Sequence, residues 1–98
     1  MRFDGFDWDA GNLDKCRKHG VSIEEIEAML RGSPIFSPDT VHSFGEQRFI
    51  AAGRTPFGRA LFVAFTLRPK EDAILLRPVS ARYMHIREAA RYGSQRSH

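Results

Sequence analysis

The residues of this sequence with the clearest chemical potential are a glutamate and several arginines near the ends of predicted strands. Glu46 and Arg48 are two residues apart, so they share one face of an extended strand, and Thr66 and Arg68 share a face in the same way. If the two strands pair, a carboxylate meets two guanidinium groups on one sheet surface. The carboxylate could be a general base beside guanidinium groups that bind phosphate. Alternatively, the three residues could form a ladder of cross-strand salt bridges.

Histidines that could transfer protons lie near these residues in the sequence. The chain contains His19, His42, His85 and His98. His42 precedes Glu46 by four residues and His85 follows Arg82 by three, so helical spacing would place each pair on one face. Histidine titrates near neutral pH, which suits it to acid and base roles. His19 is more simply explained as a structural residue, because it follows a predicted helix end.

Other kinds of site find little support in the sequence. The histidines and the single cysteine, Cys16, lack the spacing of zinc ligands, so neither a metal site nor a bound cofactor is predicted. The sequence has no phosphate-binding glycine-rich loop, no acyl-transfer nucleophile elbow and no EF-hand loop. Cys16 is better explained as a small core residue, and Trp8 as a hydrophobic anchor for the first helix.

The charges are unevenly distributed along the chain. Residues 1–47 contain nine acidic and five basic side chains, a net charge of −4, whereas residues 48–98 contain three acidic and ten basic side chains, a net charge of +7. All of those ten bases except Lys70 are arginine, whose planar fork suits phosphate. The second half is therefore predicted to bind a nucleic acid or an acidic protein, although solvated arginines on strand faces would give the same pattern.

Two N-terminal helices are predicted from capping signals and apolar periodicity. A short helix follows Asp9 or Asn12, either of which can cap it. The second helix is predicted at Ile23–Arg31, where Ser22 and Glu25 form a capping box before an apolar stripe. Before them, Met1–Asp7 alternates loosely, with Phe3 and Phe6 as anchors, which predicts a short strand or an extended lead-in.

A sheet and a final helix are predicted for the second half. The predicted strands are Gln47–Gly53, Arg59–Arg68 and Ala73–Ser80. Short turns between them predict an antiparallel meander, and Pro78, which lacks an N–H, predicts an edge or a bulge. Ser80 can cap a C-terminal helix that ends near Gly93. The order of elements predicts an α+β domain.

The length of 98 residues limits the protein to one small domain. Residues 1–93 are predicted to form that domain, and the polar residues 94–98 a disordered tail. A membrane-spanning helix needs about 20 apolar residues, which the sequence lacks, and its acidic start is unlike a signal peptide. With a single cysteine, these features predict a cytoplasmic protein that does not associate with membranes.

Several short segments occur in an order and at a spacing that point to a known family. They are Phe6-Asp7-Trp8-Asp9, Lys18-His19-Gly20-Val21-Ser22, His42 with Glu46 and Arg48, Thr66-Leu67-Arg68, and Ser80-Ala81-Arg82. Together they resemble the BrnT family of bacterial toxins over about residues 6–92. The resemblance implies a RelE-like α+β fold, with a small antiparallel sheet of three to four strands, two N-terminal helices and a C-terminal helix.

The resemblance also implies an activity and partners. The chain is expected to be a ribonuclease toxin of a type II toxin–antitoxin system, which blocks translation by cutting RNA, either free or on the ribosome. A BrnA-type antitoxin is expected to neutralise it, and operator DNA to be contacted only through the toxin–antitoxin complex. The alternative is a catalytically inactive RNA- or protein-binding module of the same fold.

Metal-independent RNA cleavage would give the polar residues separate roles. The substrate's 2′-hydroxyl attacks the adjacent phosphorus, so we expect Arg68 and Arg82 to clamp the scissile phosphate. Glu46 is the expected base, and His42 or His85 the expected acid. The full set of expected catalytic residues is Glu46, Arg48, Arg68, Arg82 and His42, with Arg48 assisting the clamp. The residues expected to bind RNA are Arg48, Arg68, Arg82 and His85.

Overall fold

The computed structural model describes residues 1–42 and 45–96, which form three helices and one sheet. In chain order the elements are β1 (Gly5–Phe6), α1 (Ala10–Arg17), α2 (Ile23–Arg31), β2 (Ile35–Pro38), β3 (Arg48–Arg54), β4 (Ala60–Lys70), β5 (Ala73–Tyr83) and α3 (Ile86–Arg96). The predicted α+β class is confirmed.

The sheet is larger than predicted, and it is mixed. Its five strands lie in the order β1-β5-β4-β3-β2, and the predicted antiparallel meander forms its centre as β3, β4 and β5. The prediction of three to four antiparallel strands is wrong, because β1 pairs with β5 in parallel and β2 adds an antiparallel edge beside β3. β1 lies within Met1–Asp7, where a short strand or an extended lead-in is predicted, whereas β2 has only four residues, too few for an alternating pattern to reveal it.

The last strand runs further than its predicted end at Ser80. Ala81 pairs with Val63 and Tyr83 with Leu61, so β5 continues to Tyr83 and Ser80 does not cap a helix. α3 begins instead at Ile86 and extends to Arg96. Of the predicted tail 94–98, residues 97–98 lie outside the described residues.

A β-bulge interrupts β5 beside Pro78, as the missing N–H predicts. Ala64 pairs with Ser80 and Phe65 with Pro78, so Val79 is an extra residue on β5. The carbonyl of Pro78 accepts a hydrogen bond from Asn12 Nδ2 at 2.8 Å. The bulge is therefore tied to the first turn of α1.

The N-terminal helices begin where the capping signals place them. Asp9 caps α1, and Asn12 completes its capping box. Ser22 caps α2, whose bounds match the predicted ones, and its Oγ accepts the N–H of Glu25 at 3.1 Å. None of the helices in residues 1–42 and 45–96 is long and apolar enough to cross a membrane.

The core lies between α1, α2 and one face of the sheet. The apolar row of β4 contributes Leu61, Val63 and Phe65, none of which is exposed to solvent. The other residues of the core cluster are Cys16, Val21, Ile26, Met29, Leu30, Ala51, Leu76 and Ala81. The predicted inward face of β4 is thus confirmed, and Phe62, Ala64 and Thr66 occupy the opposite face.

Candidate active site

An open cavity of about 600 Å³ lies over the sheet face opposite the buried row of β4. Its floor follows the strand pairing, with Phe62 opposite Arg82 and Ala64 opposite Ser80. The lining residues are His19, Asp39, Val41, His42, Arg48, Ile50, Phe62, Ala64, Ser80, Ala81, Arg82 and Glu88. Basic and acidic side chains therefore surround an apolar floor.

Arg82 is held in the cavity by a carboxylate from α3. Its Nη1 and Nη2 donate to Oε1 and Oε2 of Glu88, both at 2.9 Å, and its guanidinium lies 4.9 Å from the centre of the Phe62 ring. The hydrogen bonds from Arg82 lower the pKa of Glu88 to about 2, and Glu88 in turn raises the pKa of Arg82. Both groups are charged at neutral pH, in a fixed geometry.

Arg48 enters the same cavity from the neighbouring strand. It is the first residue of β3, pairs with Thr66 and lines the cavity. Arg48 lies opposite Thr66 and Arg82 opposite Phe62, on the two strands that flank β4, so their backbones are about 13 Å apart along the strand direction and about 10 Å apart across it. Two long side chains that face one cavity across this distance can reach the same phosphate or adjacent phosphates.

An imidazole beside Arg48 is also held by a carboxylate. Asp39 follows β2, and its backbone N–H donates to the carbonyl of Arg48 at 2.7 Å. Nδ1 of His42 lies 3.0 Å from Oδ2 and 3.2 Å from Oδ1 of Asp39. The Asp39 side chain is 8% exposed and that of His42 is 62% exposed, so the carboxylate is buried behind a ring that faces solvent.

The glutamate and arginine that strand parity places on one sheet face form an ion pair outside the cavity lining. Arg68 donates from Nε and Nη2 to the two carboxylate oxygens of Glu46, at 2.8 and 3.1 Å, and both side chains are nearly half exposed. Arg68 lies six residues beyond Phe62, which places it about 20 Å along β4 from Arg82 at about 3.3 Å per residue. The sequence predicted that Arg68 and Arg82 clamp one phosphate, but the strand holds these two arginines far apart.

Two other histidines, His19 and His85, lie elsewhere than the sequence suggested, and His98 lies outside the described residues. His19, interpreted as structural, lines the cavity. His85 lies at the start of α3, where its backbone N–H donates to Glu88 Oε1 at 2.8 Å, and it is absent from the lining. That hydrogen bond gives Glu88 a second partner besides Arg82.

Three residues of the cavity were missed or misjudged from the sequence: Asp39, Glu88 and His19. Asp39 stands three residues before His42 and Glu88 three residues after His85, a spacing that fits local turns as well as a site. Glu88 lies in the first turn of α3 as observed, but in the middle of the helix that was predicted to begin after Ser80, so no first-turn signal marked it. Its partnership with Arg82 depends on where α3 begins.

The described residues contain no set of side chains that could bind a metal ion. Within residues 1–42 and 45–96, no group of three or more histidine, cysteine, aspartate or glutamate side chains is placed to hold an ion. Cys16 is fully buried in the core, and burial raises the pKa of its thiol to about 11. Its surroundings are those of a core residue, as predicted.

Comparison with known proteins identifies the family. The chain matches the family model of the ribonuclease toxin BrnT of type II toxin–antitoxin systems over residues 8–88, which is most of its length. No curated protein matches the chain. The matched segment includes every residue that lines the cavity. The chain therefore belongs to the BrnT family of ribonuclease toxins of type II toxin–antitoxin systems, which implies an RNA substrate and an antitoxin partner.

Proposed function

We propose that this toxin is an endoribonuclease that cleaves RNA by attack of a 2′-hydroxyl on the adjacent phosphorus, without a metal ion. The observation that carries the proposal is the meeting of Arg48, Arg82 and His42 in one cavity. Two guanidinium groups and an imidazole supply charge stabilisation and proton transfer, the two requirements of this reaction. The family match independently supports ribonuclease activity.

In this proposal Arg82 and Arg48 bind the scissile phosphate. A guanidinium has five N–H donors, and the fork to Glu88 takes one from Nη1 and one from Nη2 of Arg82. Nη1 also donates to the carbonyl of Tyr83 at 3.4 Å, so the N–H of Nε and one N–H of Nη2 remain for phosphate oxygens, while Glu88 fixes the plane of the guanidinium. Because the negative charge on the phosphorane exceeds that on the substrate, both arginines bind the transition state more tightly than the ground state.

Two imidazoles transfer the protons. As the 2′-oxygen bonds to phosphorus, its proton passes to His19, and as the bond from phosphorus to the 5′-oxygen breaks, His42 protonates that oxygen. We assign the base to His19 rather than to the expected Glu46, because His19 lines the cavity and Arg68 occupies both oxygens of Glu46. The products are a 2′,3′-cyclic phosphate and a free 5′-hydroxyl.

Residues at the margin of the cavity bind the flanking RNA. Arg68 continues the row of Thr66 along β4, and we assign it to a phosphate neighbouring the scissile one. His85 stands exposed beside Glu88 at the start of α3, where it can contact the strand that leaves the cavity. These contacts affect the affinity for RNA more than the chemical step.

The biological setting follows the family. We propose that cleavage of RNA, either free or on the ribosome, inhibits translation in the cytoplasm, and that a BrnA-type antitoxin neutralises the toxin. Operator DNA would be contacted through the toxin–antitoxin complex. We also propose that the antiparallel centre of the sheet with its three helices is a RelE-like fold.

The test is cleavage of labelled single-stranded RNA by the purified chain in excess chelator. We expect cleavage to persist in chelator and to end in a cyclic phosphate, and Arg82→Ala or His42→Ala to reduce its rate about 10²–10⁴-fold. Arg87→Ala is the matched control, because Arg87 is exposed on α3 next to Glu88 and does not line the cavity.

Three outcomes would contradict parts of this proposal. RNA that is bound but never cleaved would indicate that the chain is a catalytically inactive RNA-binding module. Cleavage that chelator abolishes would exclude the metal-independent route. Glu46, and not His19, would be the general base if Glu46→Ala lost as much activity as His42→Ala while His19→Ala stayed fully active.

A further inference from the structure

The contact between Asp39 and His42 fixes the imidazole in one orientation. Asp39 is anchored to β3 through its backbone N–H, and its Oδ1 accepts the backbone N–H of His42 at 3.3 Å. The same carboxylate lies 3.0 Å from Nδ1 of the ring. One buried side chain therefore positions both the backbone and the ring of His42.

That geometry also determines which ring nitrogen carries the hydrogen. An ionised carboxylate only accepts hydrogen bonds, so Nδ1 of His42 must be protonated to bind it. In the neutral ring the second nitrogen, Nε2, is then an acceptor, and in the charged ring it is a donor. Because the ring is 62% exposed and lines the cavity, Nε2 is the nitrogen that a substrate can reach.

We propose that Asp39 is a positioning residue of this ribonuclease, which holds His42 in the Nδ1–H form and presents Nε2 to the leaving 5′-oxygen. The inference rests on the proposed function. When the bond from phosphorus to that oxygen breaks, the proton on Nε2 passes to the oxygen and the ring becomes neutral. Nδ1–H continues to donate to Asp39, which stays ionised, and a proton from solvent restores the charged ring.

The first experiment is a measurement of the His42 tautomer in the RNA-free chain by ¹⁵N NMR of its ring. In the folded wild-type protein we expect the neutral ring to carry its hydrogen on Nδ1. In Asp39→Asn the amide can donate to Nδ1, so we expect the Nε2–H form to increase. A wild-type ring that is mainly in the Nε2–H form would overturn the proposal, and this result needs no variant that must fold.

The second experiment tests whether Asp39 acts through His42. We expect Asp39→Asn to slow the chemical step, measured in single turnover, at least about 10-fold, with a smaller loss than in His42→Ala, and to leave the steady-state KM nearly unchanged. In the His42→Ala background, Asp39→Asn should have no further effect. An equal loss in both backgrounds would show that Asp39 acts independently of His42, and would overturn the proposal.

The controls separate this proposal from the proposed function. Asp14→Asn changes an exposed aspartate of α1 by the same single group and should affect neither tautomer nor rate. If the wild-type chain fails to cleave RNA, the proposed function fails, whereas the tautomer measurement still decides whether Asp39 orients His42. If His42→Ala cleaves normally, His42 is not the acid and Asp39 has no catalytic ring to position.

Discussion

The side chain of Asn12 connects the start of α1 to the residues before it and to the bulge in β5. Its replacement by alanine tests whether these hydrogen bonds stabilise the fold. The side chain is buried in the first turn of α1, with 4% of the residue exposed. Its Oδ1 accepts the N–H of Asp9 at 2.7 Å, and its Nδ2 donates to the carbonyls of Asp7 at 2.9 Å and Pro78 at 2.8 Å. Asn12→Ala removes all three hydrogen bonds at once.

The expected loss follows from those contacts. A hydrogen bond within a protein contributes about 1 kcal/mol net, and a buried group left without a partner costs about 1–3 kcal/mol. Alanine regains about 0.5 kcal/mol through its better helix propensity. We therefore expect Asn12→Ala to lower the free energy of unfolding by about 2–3 kcal/mol, which in a domain of this size lowers Tm by about 10–20 °C.

The assay is urea unfolding followed by far-UV circular dichroism, with Asp14→Ala as the control on the exposed side of the same helix. The control should change the free energy of unfolding by no more than about 0.5 kcal/mol. A loss below about 1 kcal/mol in Asn12→Ala, at an unchanged m value, would contradict this expectation. The hydrogen bonds to Asp7 and Pro78 would then not be what holds α1 against the bulge.

The remaining predictions concern acid stability, thiol reactivity and backbone packing. The pKa of Glu88 is lowered from 4.5 to about 2, so its pairing with Arg82 stabilises the fold fully above about pH 4.5 and less as the pH falls toward 2. Urea midpoints should therefore fall less steeply with acidification in Glu88→Gln, and parallel profiles would contradict this. The thiol of Cys16 has a pKa of about 11, so the folded chain should resist iodoacetamide at pH 8 while the urea-unfolded chain reacts; equal rates would contradict its burial. Gly53→Ala places a Cβ 2.6 Å from Sδ and 2.8 Å from Cγ of buried Met29, so it should lower the free energy of unfolding by about 1–3 kcal/mol, which an unchanged urea midpoint would disprove.

Local signals predicted the parts of the fold that local interactions determine. The bounds of α2 follow from the capping box of Ser22 and Glu25, whose partners lie three residues apart. The inward row of β4 follows from alternation alone. The extension of β5 to Tyr83 was not predictable in this way, because it depends on pairing with Leu61, more than twenty residues earlier. Ser80 gave a convincing capping signal that this pairing overrides.

The candidate site shows the same division between local and tertiary information. Arg48 and His42 were expected from residue type and spacing and Arg82 from the family resemblance, and the structure brings all three to one cavity. Their carboxylate partners were not expected, because Asp39 lies in the loop after β2 and Glu88 on α3, both placed by tertiary packing. Glu46 and Arg68 did pair as strand parity allowed, in the salt bridge that was the alternative to a catalytic role.

The bulge at Val79 shifts the phase of β5 by one residue. Leu76 and Ala81 are both buried on the core side, although they are five positions apart in the sequence and would face opposite sides in a strand without a bulge. The one-residue offset lets Leu76 face the core while Arg82 faces the cavity. If Val79 instead took a regular place in the pairing with β4, every residue after it would turn to the opposite face and Arg82 would leave the cavity, so the bulge is part of what positions the site.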